Sequence, residues 1–227
     1  MVEKVLSEGY FYDDPNREGV KRLEIPSYTF RYEFKDGFPA LGLKKLAWKS
    51  VVTELLWFLK GDTNIKYLID NGCNIWNKDA YNYYLKNNDT ELEAMTLESF
   101  IDTIKTSNTK DLENWFTNYN LGDLGKVYGH YWRNFDGVDQ IAELINDMIN
   151  KPMSSELIVS ARNPSHKEIQ ALPCCHYGFQ IIIRPIDKLY LKGRRGNLIE
   201  SARYGFELHW NQRSCDLFLG KIWELLK

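Results

Sequence analysis

Two short segments hold side chains whose types and spacing could do chemistry. In Ala171-Leu172-Pro173-Cys174-Cys175-His176-Tyr177-Gly178-Phe179-Gln180, two thiols lie beside an imidazole and an amide. A thiol attacks carbon as the thiolate, which requires a nearby cation or a helix N-terminus. Neighbours along a strand point to opposite faces, so His176 is read as structural rather than as the base for Cys175. A buried, inert cysteine is the commoner fate of this residue type and is the alternative for Cys175. The second segment is Trp210-Asn211-Gln212-Arg213-Ser214-Cys215-Asp216. In a strand it would place Arg213 and Cys215 on one face and Ser214 and Asp216 on the other. A guanidinium can grip a phosphate through two parallel hydrogen bonds and can lower a thiol pKa. A solvated strand face is an equally open reading.

The elements that must position these groups can be read from apolar spacing. Val51, Val52, Leu55, Leu56 and Leu59 recur at helical intervals over residues 46–60, and Gly61 closes the run. Val138, Ile141, Leu144, Ile145, Met148 and Ile149 form the clearest amphipathic helix, with Pro152 after its end. Residues 1–10 and 64–72 suggest short helices. Residues 22–33 suggest a strand interrupted by Pro26. Residues 157–161 and 178–184 suggest buried strands, and 188–191 and 204–211 further strands around the basic turn carrying Arg194 and Arg195. Residues 78–121, rich in Asn, Asp, Thr and Glu, suggest a surface excursion with one or two small helices. Mixed helices and strands without repeats point to the α+β class.

Composition narrows the function classes. The chain has 227 residues, 44% of them hydrophobic, enough for one core. A net charge of −2 argues against general binding of nucleic acid, so any phosphate site must be local. The mixed, polar N-terminus does not resemble a secretory signal, and no apolar run is long enough to span a membrane. The four cysteines, Cys73, Cys174, Cys175 and Cys215, fit a reducing, intracellular setting. None forms a Cys-x-x-Cys pair, so no metal is expected from them, and adjacency disfavours a bridge between Cys174 and Cys175.

The two reactive segments, together with others in the same order, resemble the thymidylate synthase family. Pro173-Cys174-Cys175-His176 followed by Gln180 is similar to the family's active-site motif, and Gln212-Arg213-Ser214-Cys215-Asp216 to its phosphate-binding strand. Glu54-Leu55-Leu56-Trp57-Phe58-Leu59-Lys60-Gly61-Asp62-Thr63-Asn64 resembles the helix carrying its catalytic glutamate. Asn74-Ile75-Trp76 resembles its active-site tryptophan segment. The stretch from Gly122 to Arg133 resembles its tyrosine-bearing loop, and Ile158 to Pro164 the strand before its nucleophile. The likeness spans the chain outside 78–121 and 186–203.

This resemblance implies one α+β domain over residues 1–227, a mixed sheet packed with helices, with a surface insertion at 78–121 and the C-terminal part of the fold missing. It implies a cytoplasmic, homodimeric methyltransferase of dTMP biosynthesis, with neither nucleic acid nor membrane as partner. Such an enzyme converts dUMP to dTMP with 5,10-methylenetetrahydrofolate as co-substrate and without a metal. Cys175 is then the nucleophile, with Glu54 and Tyr128 handling protons. Arg17, Arg213, Ser214 and Gln212 bind the nucleotide, and Trp76 and Asp216 lie on the folate side.

The pattern also breaks. Two adjacent arginines of the family are replaced by Ser155-Glu156, and a valine-proline-phenylalanine-asparagine run by Lys221-Ile222-Trp223-Glu224. Asp79 stands where a second tryptophan is expected, Arg162 replaces another, and the chain ends at Lys227. Asp79 and Glu224 support an alternative hydroxymethylase acting on dUMP or dCMP. Ser155-Glu156 and the early end support a catalytically inactive, truncated paralogue.

Overall fold

The fold is taken from a computed structural model that describes residues 2–14, 19, 21–38, 45–87, 95–108, 121–192 and 198–212. The chain divides into two units, Met1–Leu46 and Ala47–Lys227. The smaller holds helix α1 (Val2–Glu8) and an antiparallel pair, β1 (Tyr10–Asp13) and β2 (Lys21–Glu24). The Arg22 Nε donates to the buried Asp14 carboxylate at 2.7 Å and secures the end of this pair. β2 stops before Pro26, and no strand follows it over 25–33.

The larger unit surrounds its core with helices α2 (Trp48–Leu59), α3 (Lys66–Asp70), α4 (Asn77–Asn87), α5 (Leu97–Thr106), α6 (Tyr128–Asn134) and α7 (Gln140–Asn150). Against them lies an antiparallel sheet of β3 (Ile158–Ser160), β4 (His176–Lys192) and β5 (Leu198–Gln212), in that order. Trp57, Ile65, Leu68, Phe100, Ile104, Leu124, Tyr131 and Val159 are fully buried among them. Mixed helices and sheet agree with the α+β expectation. Among the described residues, no helix is long and apolar enough to cross a membrane.

Three expectations change in detail. α2 forms, but its buried residues are Thr53, Trp57 and Phe58, while Val51, Val52, Leu55 and Leu56 are exposed. The helix is therefore apolar on two faces. In α7, Leu144 is buried and Ile141 and Met148 pack on the core, whereas Ile145 and Ile149 face outward. The three strand segments expected after residue 175 are one long hairpin, β4–β5, and Pro185 is accommodated at a register shift between Pro185 and Asp187.

Residues 78–121 contain helical segments as expected, but they are anchored inward. Ala80 and Tyr83 of α4 and Phe100 and Ile104 of α5 are buried, and Ala80, Phe100 and Ile104 belong to the core cluster. Thr96 caps α5 by accepting from the Ser99 N–H at 3.2 Å.

Candidate active site

Glu54 projects from α2 one turn before Phe58, so it points toward the interior rather than the exposed apolar face. Its Oε1 accepts from the Trp76 indole Nε1–H at 2.7 Å. Burial raises the Glu54 pKa above the usual carboxyl range, and the indole hydrogen bond pulls it partway back. A carboxyl shifted in this direction keeps its proton to higher pH than a free one, which suits proton exchange. Gly61, in the left-handed conformation at φ 75°, ends α2, and Asp62, Thr63 and Asn64 follow as a tightly bonded turn. The Asp62 carboxylate accepts from the Asn64 N–H at 2.9 Å, and the Trp57 indole donates to the Asn64 carbonyl at 2.9 Å.

That turn holds the segment that presents Tyr128. The Leu124 N–H donates to the Thr63 carbonyl at 3.0 Å, and the Ala171 N–H donates to the Leu124 carbonyl at 2.8 Å. The Lys126 N–H donates to the Ile169 carbonyl at 3.1 Å. Residues 122–127 are thus clamped between the turn after α2 and the segment leading to the cysteines. Gly129 lets α6 approach closely, since a Cβ there would lie 2.1 Å from the Asp62 carbonyl oxygen. Arg133, on the next turn of α6, grips the Asp139 carboxylate with two nitrogens, at 2.9 and 2.7 Å, and donates to the Leu59 carbonyl at 2.8 Å. Asp139 in turn caps α7 by accepting from the Ala142 N–H at 3.0 Å.

Tyr128 meets the cysteine segment directly. Its hydroxyl oxygen accepts from the Cys175 backbone N–H at 2.6 Å. Burial, followed by the neighbouring Cys174, pushes the phenol pKa well above its ordinary value, so Tyr128 keeps its proton. The His176 ring stacks on Tyr128 at 3.9 Å and also meets Trp210 at 4.5 Å. Burial lowers the His176 pKa to about 4, so the ring is neutral near pH 7. Phe58 packs on the other rings, 4.5 Å from Tyr128 and 6.0 Å from His176, and Trp76 stands edge-on to Tyr128 at 6.3 Å. Cys174 is buried, whereas Cys175 is partly exposed. A buried carboxyl, an indole, a phenol and the backbone of a partly exposed cysteine therefore form one continuous constellation.

Residues 1–227 match the sequence profile of thymidylate synthase. The chain belongs to the thymidylate synthase family. It is 42% identical over 205 residues to the thymidylate synthase of Mycoplasma genitalium, covering 90% of this chain and 62% of that protein. It is 36% identical over 221 residues to that of Mesoplasma florum, covering 97% and 67% respectively. It is 38% identical over 220 residues to that of Malacoplasma penetrans, covering 97% and 66%. The chain thus spans about two thirds of the length of these relatives.

The structure places the family-type site residues unevenly. Cys175, Tyr128, Glu54 and Trp76 come together as described. Gln212 ends β5 with its backbone paired to His176, next to Cys175 in sequence. Arg17, Arg213, Ser214 and Asp216 lie outside the described residues, as do Arg194, Arg195 and Glu224. Ser155 and Glu156 are exposed, and the Ser155 carbonyl accepts from the Gln180 side-chain amide at 2.9 Å. Sequence reasoning left His176 as structural and did not single out Phe58 or Gly129. Gly129 carried a usable signal: a glycine inside a helix costs about 1 kcal/mol against alanine, so it marks a close approach.

Proposed function

We propose that this chain catalyses the reductive methylation of dUMP to dTMP, with Cys175 as the nucleophile. The observation that carries the proposal is the Tyr128 hydroxyl held on the Cys175 backbone N–H at 2.6 Å, with the Glu54–Trp76 pair beside the same ring cluster. The pyrimidine C5 is a poor nucleophile. Addition of the Cys175 thiolate to C6 moves the ring electrons toward C5 and O4, and C5 can then attack a one-carbon unit. 5,10-Methylenetetrahydrofolate, when bound, supplies that unit and the hydride. Glu54 exchanges a proton at O4 through water, helped by the raised affinity for protons that burial gives it. Tyr128 assists removal of the proton from C5, and expulsion of Cys175 restores the aromatic ring. The Trp76 N–H is engaged by Glu54, so this residue offers its ring plane rather than a donor to the folate.

Pairing of Gln212 with His176 supports a phosphate site adjoining Cys175, because Arg213 and Ser214 follow Gln212 directly in the sequence. In this reading Arg213, Ser214 and Gln212, with Arg17, bind the nucleotide, and Asp216 belongs to the folate side. The working form is a cytoplasmic homodimer of single-domain chains. Calorimetric titration with dUMP and dCMP tests the nucleotide site. dUMP should bind in preference to dCMP, and Arg213→Ala should weaken it by roughly tenfold or more, the worth of one charge-assisted hydrogen bond. Absence of binding by either nucleotide would overturn the proposal, and preference for dCMP would replace its substrate.

A further inference from the structure

Beside α6, outside the constellation around Tyr128, His130, Asp136 and His166 converge. One potential ligand atom from each lies within 4.8 Å of the other two. His130 Nε2 is 3.9 Å, and His166 Nε2 3.8 Å, from Asp136 Oδ1. His130 Nε2 is buried and has no hydrogen-bond partner among the described residues. The orientation of His166 can be assigned from its neighbours. Its Nε2 faces the Lys126 ammonium at 3.1 Å and the Asn163 amide nitrogen at 3.3 Å, both of which can only donate. Nε2 is therefore the lone-pair nitrogen, and Nδ1 carries the proton toward the Tyr131 hydroxyl at 3.4 Å. A hydrogen bond on the far nitrogen is the arrangement that fixes and orients a histidine ligand.

The Lys126 ammonium also donates to Asp136 Oδ1 at 3.1 Å. A cation thus already occupies the space on which the carboxylate and His166 converge, while His130 is left unsatisfied beside it. We propose that His130, Asp136 and His166 bind one divalent transition-metal ion of the zinc type, with Lys126 displaced and a fourth position open to water. Two imidazoles and one carboxylate form a donor set suited to such ions. Bond lengths of about 2.0–2.2 Å place tetrahedral ligand atoms roughly 3.4 Å apart, so closure requires small side-chain rotations. Asp136 is half exposed and gives access from solvent. The site lies in different parts of the sequence from the cysteines, and the bound ion would tie α6, which carries Tyr128, to the segment leading to Cys175.

The test is titration of the full chain with Co²⁺, followed by absorption, and with Zn²⁺, followed by calorimetry and melting temperature. The expected result is one ion per chain, a Co²⁺ spectrum of nitrogen and oxygen ligands, and a raised melting temperature. His130→Ala and His166→Ala should each weaken binding by more than about tenfold, since even loss of an outer partner has that effect. Lys126→Met, which removes the competing ammonium, should tighten it. This gain of affinity tests the proposal even if His166→Ala fails to fold. No uptake, or uptake with a thiolate spectrum that survives His130→Ala, would overturn the proposal.

Discussion

The Tyr128 hydroxyl accepts the Cys175 backbone N–H at 2.6 Å, joining the start of α6 to the residue that carries the thiol. Tyr128→Phe keeps the ring stack on His176 but leaves that N–H without its acceptor. The fold should persist with a loss of about 1–3 kcal/mol in denaturant unfolding. Formation of dTMP should fall by roughly 10²- to 10⁴-fold, the usual weight of a positioned proton-transfer group. Unchanged turnover would remove Tyr128 from the proton path.

Glu54→Gln should separate stability from activity. The glutamine oxygen can still accept from Trp76. Below the unfolded value near 4.5, both folded and unfolded chains carry the proton, and the carboxyl imposes no charge penalty. Above the raised folded value, wild type holds a buried carboxylate that the variant lacks. The variant should therefore melt higher than wild type near neutral pH, with the difference vanishing in acid, while turnover falls at least about 10²-fold.

His176 gives the opposite slope. Its folded pKa, about 4, is depressed from 6.5, so the unfolded chain binds a proton through that window and the folded chain does not. Stability from this group is complete above pH 6.5 and is lost as pH falls toward 4. Wild type should lose up to about 3 kcal/mol more than His176→Gln over the same range, read from melting curves at stepped pH. Parallel curves would show that the ring is not held neutral by burial.

Gly129→Ala tests the joint between α6 and the turn after α2. The added methyl would lie 2.1 Å from the Asp62 carbonyl, a backbone atom that cannot swing away. A loss of about 3 kcal/mol or more is expected in denaturant unfolding, at the upper end of overpacking effects.

Much of this arrangement was legible from residue types and spacing. The helices around Glu54 and Leu144 and the strands after Cys175 follow from apolar periodicity and turn residues. The gaps have physical causes. α2 is apolar on two faces, and a period cannot tell which is covered, so the spacing of Val51 and Leu55 shows the helix but not its buried side. The segments 178–184 and 188–191 read as separate strands, yet they are one strand in which a register shift absorbs Pro185. The stack of His176 on Tyr128 joins residues far apart in sequence, as does the convergence of His130, Asp136 and His166. Neither leaves a local pattern. Burial of Glu54 was visible only through the family likeness, because a lone carboxylate among apolar residues more often faces water.

Formation of dTMP by the full chain from dUMP and 5,10-methylenetetrahydrofolate, compared with Cys175→Ala, tests the central claim most directly. Product from the wild type with at least about a 10³-fold loss in the variant, beyond the usual weight of a single acid–base group, is the expected result. Equal rates in the two proteins, or no dTMP from the wild type, would contradict it.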